Sequence, residues 1–208
     1  KKEVKKPQLY SNAPLPTNGE QSLEEIIKSI YFLETQTEFR KDDNSIAVAK
    51  SIGIGIAFTE EVIIASDHVV SNYKIIRSLP FGGQVEEFGE KTSEKTYLVI
   101  ENQRIELNAV MRNRETDIAV LKTPQSITLK PFSYAIGNSD EIRMGNYVYL
   151  IGNPLSMGIN VREGVISQTA APDVVKNVLV NPKTAFMISS GTVPGDSGAP
   201  VIAIRLKD

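Results

Sequence analysis

The sequence predicts an all-β protein built as two β-rich halves, and three observations carry that reading. Its 208 residues hold 23 Ile and 18 Val against 13 Leu, and β-branched side chains suit a pleated surface better than a helix. From about residue 46 the apolar pattern alternates or forms short blocks punctuated by Gly, Pro, Asn and Ser. A linker carrying Pro124 and Pro131 splits the strand candidates into two groups, with no repeat between them.

The elements follow in order. Residues 1–21 form an arm in which Pro7, Pro14, Pro16 and Gly19 follow a lysine-rich start; without an amphipathic pattern it reads as a solvated tail rather than a membrane anchor. Ser22 and Glu25 have capping-box spacing, and Leu23, Ile26, Ile27 and Ile30 share one helical face, which predicts a helix over 22–31. Strand character begins at Tyr31, Phe32 and Leu33. Ile52, Ile54 and Ile56 alternate with Gly, and Val62 to Ala65 is an apolar run ending at Ser66-Asp67-His68. Residues 80–96, with Gly82, Gly83, Gly89 and mixed charge, read as a long exposed loop. Strands are expected at 97–102, 104–111 and 118–122, closing a first unit over 22–124. After a linker at 125–145, a second unit over 146–208 has strand candidates at 146–152, 159–168, 174–180, 184–189 and 199–205.

Composition narrows the chemistry. With 23 basic and 25 acidic residues, the chain has no overall cationic field to draw nucleic acid. Zero cysteines exclude disulfides, thiolate catalysis and cysteine-ligated zinc, and one histidine leaves no His-rich metal site. No metal or organic cofactor is expected. The longest uncharged stretch, Met144 to Val161, holds three asparagines, a proline and three glycines, too polar for a lipid-facing helix.

The densest signal is Pro194-Gly195-Asp196-Ser197-Gly198-Ala199-Pro200. Glycines around a serine permit backbone conformations in which neighbouring N–H groups converge, and such a serine becomes a nucleophile when a base takes its proton and donors hold the oxyanion. A plain connecting turn is the other reading. His68 is the sole histidine and stands at a strand end, as a base or as a satisfied structural ring. Asp117 opens the apolar run Ile118-Ala119-Val120-Leu121, as the group orienting His68 or as an edge-turn aspartate. Asp67, next to His68, is the poorer orienter because its side chain points away. Histidine, aspartate and serine in that order match one lineage of catalytic triads.

On these residues the sequence resembles the chymotrypsin-fold serine proteases, most closely their HtrA/Deg-like branch. Ser66-Asp67-His68-Val69-Val70 is similar to that family's histidine motif, and Glu115 to Lys122 to its aspartate motif. Ala135 to Asp140, Ile151-Gly152-Asn153-Pro154 and Gly164-Val165-Ile166-Ser167 match its connecting segments in the same order. The resemblance covers roughly 22 to 205. It implies two six-stranded antiparallel β-barrels, with His68 and Asp117 supplied by the first and Ser197 by the second. It further implies Gly195 and Ser197 as oxyanion-hole donors, a substrate pocket at Ser190, Gly191 and Thr192, unfolded or extended polypeptide substrates, a quality-control role, an extracytoplasmic location and homotrimers.

Several positions depart from the family pattern. Asp196 stands where the HtrA-like branch carries Asn, and its expected role is to accept local hydrogen bonds. Gly191, six residues before Ser197, offers no carboxylate for a Lys or Arg side chain, so a small or medium apolar P1 residue is expected. Eleven residues follow Ser197, too few for the last hairpin of a second barrel, which is expected to lie outside these 208 residues, as are the family's PDZ domains. A catalytically silent, peptide-binding version of the fold is the alternative function. An α/β-hydrolase is excluded because Gly195-Asp196-Ser197-Gly198 lacks the Gly-x-Ser-x-Gly spacing, and Gly53-Ile54-Gly55 lacks the third glycine of a dinucleotide loop.

Overall fold

The computed structural model describes residues 23–78, 82–101, 103–173 and 185–203. In chain order it contains α1 (Leu23–Ile27), β1 (Ile30–Arg40), β2 (Ile46–Ala57), β3 (Val62–Ala65), α2 (Asp67–Val70), β4 (Ile75–Ser78), β5 (Gln84–Glu87), β6 (Glu90–Ile100), β7 (Gln103–Asn113) and β8 (Ile118–Lys122). The second half contributes β9 (Tyr147–Gly152), β10 (Asn160–Gln168), β11 (Met187–Ile188) and β12 (Val201–Ala203).

Six strands close a barrel in the order β1-β2-β3-β8-β7-β6, every pair antiparallel. Closure leaves no free edge and turns one face of each strand inward. Leu33, Ala57, Ile63, Leu98, Ala119 and Leu121 fill the interior. On β1 the buried positions continue past Leu33 at Thr35, Thr37 and Phe39. The two threonines are fully buried, and their hydroxyls are paired: Thr35 Oγ1 lies 2.9 Å from Thr96 Oγ1, and Thr37 Oγ1 donates to Glu94 Oε2 at 2.8 Å. That pairing offsets the desolvation a lone hydroxyl would suffer.

Among the described residues the second half forms a four-stranded sheet ordered β11-β10-β9-β12, an open sheet where the resemblance implied a second barrel. A cluster of Ile26, Ile30, Ile54 and Ile151 joins α1, the first barrel and β9. The main chain also crosses the seam, with Ile54 N–H donating to the Ser197 carbonyl at 2.9 Å. This all-β architecture is the one the resemblance implied.

Local boundaries differ from the sequence reading in informative ways. The helix is five residues long, not ten. Ser29 ends it by donating from both its N–H (2.9 Å) and its hydroxyl (2.7 Å) to the Ile26 carbonyl, and Ile30 is already a strand residue opposite Ile56. Ser22 lies outside the described residues. The exposed loop expected over 80–96 is largely strand: β5 pairs with β4 and β6 starts at Glu90 to pair with β1. Its charges misled because they are satisfied across strands, as in the Arg77–Glu87 and Lys95–Glu106 ion pairs. The strand candidate 174–180 lies outside the described residues; of 184–189 and 199–205, strand is found at 187–188 and 201–203.

Replacing Leu33, with no exposed surface in the barrel centre, by Ala is expected to lower unfolding free energy by about 2–5 kcal/mol. Urea denaturation of the variant checks this, and a loss below about 0.5 kcal/mol would contradict the assigned packing.

Candidate active site

Strand pairing brings His68 and Asp117 together. Ala65 on β3 faces Ala119 on β8, so continuing that register two residues past β3 sets Asp67 beside Asp117, 50 positions away in the chain. The Asp67 N–H then donates to the Asp117 carbonyl at 3.2 Å. There β3 turns into α2, a single helical turn absent from the sequence reading. Its N-cap residue, Ser66, makes no side-chain cap bond. Instead, the His68 N–H donates to Asp117 Oδ1 at 3.0 Å, while His68 Nδ1 lies 2.7 Å from Asp117 Oδ2. One carboxylate thereby holds the start of the turn and the imidazole it carries. With Oδ2 accepting, the ring proton sits on Nδ1 and the Nε2 lone pair is free.

Asp117 has φ of 54°, left-handed backbone that a non-glycine residue adopts only under external constraint, aspartate more readily than most. The three bonds to Asp67 and His68 supply that constraint. Asp67 itself turns away from the ring, as expected. Its buried carboxylate receives Arg112 Nε at 2.7 Å and the Tyr73 hydroxyl at 2.6 Å. Burial pushes the Asp67 carboxyl up, but these donors outweigh it and hold the group below its ordinary value. Glu94, opposed by burial but favoured by Lys91, Thr37 and Ser71, is likewise held low, and it accepts from Ser71 and Asn72 directly after α2. The support behind the histidine turn is thus a charged network.

Ser197 stands on two successive turns that share Asp196. The Asp196 N–H donates to the Val193 carbonyl at 3.1 Å, and the Ala199 N–H to the Asp196 carbonyl at 2.8 Å. Gly195 and Gly198 occupy the third position of each turn with φ of 100° and 83°, as a type II turn demands. Among the described residues, the N–H groups of Gly195 and Ser197 donate to no acceptor. Gly53 on β2 lets this loop approach α2: a Cβ there would lie 2.5 Å from Val69 Cγ2 and 2.6 Å from the Ser197 carbonyl oxygen. No hydrogen bond joins the His68 ring to the Ser197 hydroxyl among the described residues; the ring bonds to Asp117.

Thr192 lines a cleft of about 450 Å³ between the halves, with Ile56, Ala65, Leu150, Phe186 and Val201, and Asp117 also reaches its wall. Ser190 and Gly191 are not part of that lining. Ser190 Oγ is buried without a hydrogen-bond partner among the described residues, and the Gly191 carbonyl accepts from Arg162 Nη1 at 2.5 Å. Asp196 does more than the local bonding expected of it. Its Oδ2 accepts the Val193 N–H at 2.9 Å, while Oδ1 lies 2.6 Å from Arg162 Nη2. Arg162, Arg112 and Tyr73 are the participants that sequence reasoning missed. Among the described residues, no group of three or more His, Asp or Glu side chains is placed to hold a metal ion.

The family model for the trypsin-like peptidase domain matches residues 53–205. A probable periplasmic serine endoprotease, DegP-like, from Bartonella henselae is 31% identical over 156 residues, 73% of this chain and 27% of that protein. A serine protease, HtrA-like, from Staphylococcus aureus is 25% identical over 85% of this chain and 22% of its own length. The chain therefore spans about a quarter of the curated relatives it matches. Among solved structures, the HtrA-type protease AlgW with tripeptide superposes with a TM-score of 0.55, at 22% identity over 87% of this chain and 49% of that one, a likeness of fold.

Gly53→Ala is expected to force α2 and the Ser197 loop apart, destabilising the protein by about 1–3 kcal/mol; thermal unfolding checks it, and an unchanged midpoint would refute the close approach. Asp67 has a lowered folded pKa, so its contribution to stability is present above the unfolded value and lost as pH falls through the folded one. Arg112→Ala is expected to lower stability by about 3 kcal/mol at neutral pH, the low end for a broken buried pair because the guanidinium is part-exposed. Denaturation curves at pH 3 and pH 7 should show a smaller gap between wild type and variant at the acid end.

Proposed function

Because the chain belongs to the trypsin-like peptidase family, we propose that it is a serine endopeptidase that cuts unfolded or extended polypeptides through an acyl-enzyme intermediate. The observation that carries this reading is the Asp117–His68 pair, 2.7 Å between Oδ2 and Nδ1, beside the Ser197 double turn. In this reading the Ser197 hydroxyl attacks the scissile carbonyl and passes its proton to His68 Nε2. The imidazolium that forms is stabilised by Asp117 and returns the proton to the leaving amine as the C–N bond breaks. A water molecule, deprotonated by the same ring, then releases the acyl group.

The N–H groups of Gly195 and Ser197, which donate to nothing else among the described residues, are the donors for the oxyanion, worth about 2.7–4 kcal/mol of barrier each. The bond from Ser197 to Nε2 forms on substrate binding, since catalytic hydrogen bonds tighten in the complex. Apolar lining of the neighbouring cleft and the absence of a carboxylate at Gly191 support a small or medium apolar P1 residue in the Ser190–Thr192 pocket. The DegP-like and HtrA-like names of the relatives support a role in protein quality control outside the cytoplasm, performed by a homo-oligomer, with a trimer as the assembly proposed.

Casein hydrolysis by the natural full-length protein is expected to fall at least about 10³-fold in Ser197→Ala, and about 10⁴-fold in Asp117→Asn, which leaves His68 in the wrong tautomer. A fluorophosphonate probe is expected to label wild type at Ser197. Equal hydrolysis by wild type and Ser197→Ala overturns the assignment. A folded wild type that neither labels nor cleaves is instead a peptide-binding module on this fold.

A further inference from the structure

The loop that carries Ser197 is held by a cation from a different element. From Ser189 to Pro200 the chain has no strand or helix of its own, so its shape depends on what it touches. Asp196 is the pivot. Its side chain is 4% exposed, and its two oxygens are divided: Oδ2 takes the Val193 N–H, and Oδ1 faces Arg162 Nη2 at 2.6 Å. The same guanidinium donates through Nη1 to the carbonyl of Gly191. Arg162 lies on β10, opposite Leu150 of β9 in a continuous antiparallel ladder. A rigid sheet therefore grips the loop at two points, one before the first turn and one between the two turns.

The contact between Nη2 and Oδ1 is coulombic in character: neither atom has an aligned hydrogen-bond partner among the described residues, yet opposite charges at this separation in a site closed to water attract strongly. Gly152 makes room for the pair. A Cβ at that position would collide with Asp196 Oδ1 and sit 2.9 Å from Arg162 Nη2. Without the guanidinium, Asp196 would be a buried charge with no counter-ion. It escapes that state by rotating toward solvent, which releases the Val193 N–H and unwinds the turn containing Gly195. Both proposed oxyanion donors flank Asp196, so they move with it.

We propose that Arg162 is the positioning residue for the oxyanion loop, its buried pairing with Asp196 and its bond to the Gly191 carbonyl fixing the donors of Gly195 and Ser197. The inference rests on the serine-endopeptidase reading and adds to it the element that sets the site's electrostatic geometry. A donor removed from an oxyanion hole costs about 10²–10³ in kcat, and a loop displaced but not lost is expected to cost about tenfold or more.

The test uses the natural full-length protein, an apolar-P1 peptide substrate and a peptide aldehyde inhibitor. Arg162→Gln is expected to lower kcat at least about tenfold with KM changed less than about threefold, and to weaken aldehyde binding in parallel with kcat/KM, as loss of transition-state contacts requires. Asp196→Asn is expected to act similarly, and the double variant to be no worse than the poorer single, because both remove one interaction. A folded Arg162→Gln with wild-type kcat, or losses that multiply in the double variant, overturns the proposal. Should Arg162→Gln fail to fold, Arg162→Lys decides: a single nitrogen cannot take the place of two separated guanidinium nitrogens, one on the Gly191 carbonyl and one against Asp196 Oδ1, so kcat about three- to tenfold lower is expected and wild-type kcat refutes it. If wild type itself lacks Ser197-dependent turnover, the endopeptidase reading fails and this inference with it, a result distinct from an active wild type whose variants are unchanged.

Discussion

Asp117 is the constraint on which the arrangement depends. It sits where β8 begins, in left-handed backbone, and three separate acceptor oxygens serve the residues just past β3: its carbonyl and both carboxylate oxygens. This joins the histidine turn to a neighbouring strand by covalent geometry and hydrogen bonds together. The ring cannot swing without breaking a charge-assisted bond, and the turn cannot shift without losing its main-chain partners. Precision at the site comes from the pairing of two strands inside a closed barrel, where sliding by one residue would reverse every inward side chain.

Polar groups inside and around that barrel are arranged as finished networks. Thr35 meets Thr96 within the wall. Glu94 accepts from Thr37, Ser71, the Asn72 main chain, Lys91 and Arg112. Asp67 uses both oxygens on Arg112 and Tyr73. Arg112 bridges Asp67 at the start of α2 and Glu94, which holds Ser71 and Asn72 just past its end, so both ends of the turn share one support. Such networks specify a single arrangement when complete and penalise any that leaves a member unpaired.

Much of the architecture was legible because apolar periodicity is local. Val62–Ala65 and Ile118–Lys122 emerge with the bounds read from sequence, each a short block with clear ends. β1 was read only at its start, since Glu34 to Glu38 look polar in sequence although Thr35 and Thr37 point inward and are paired there. The strands within 80–96 were hidden for the same reason: cross-strand charge pairs are invisible without the partner. At the candidate site, residue type and order single out His68 and Asp117, which lie paired in the structure, while the four-residue α2 is too short to show a helical period. Arg162 gave no signal, because an arginine in an alternating strand reads as a solvent-facing residue, and only tertiary reach reveals where its guanidinium goes.

Gly152 illustrates what such a buried pair does to the freedom of a sequence to drift. A position on a sheet strand ordinarily accepts many side chains, but here even a methyl group would strike the carboxylate of Asp196. A descendant that exchanged that glycine would push the acid and the arginine off their present contact, so a change at any one of the three sites bears on the other two. Any lineage that dispensed with the internal cation would find the strand position reopened, and a bulky residue there would be the historical trace of a loop anchored some other way.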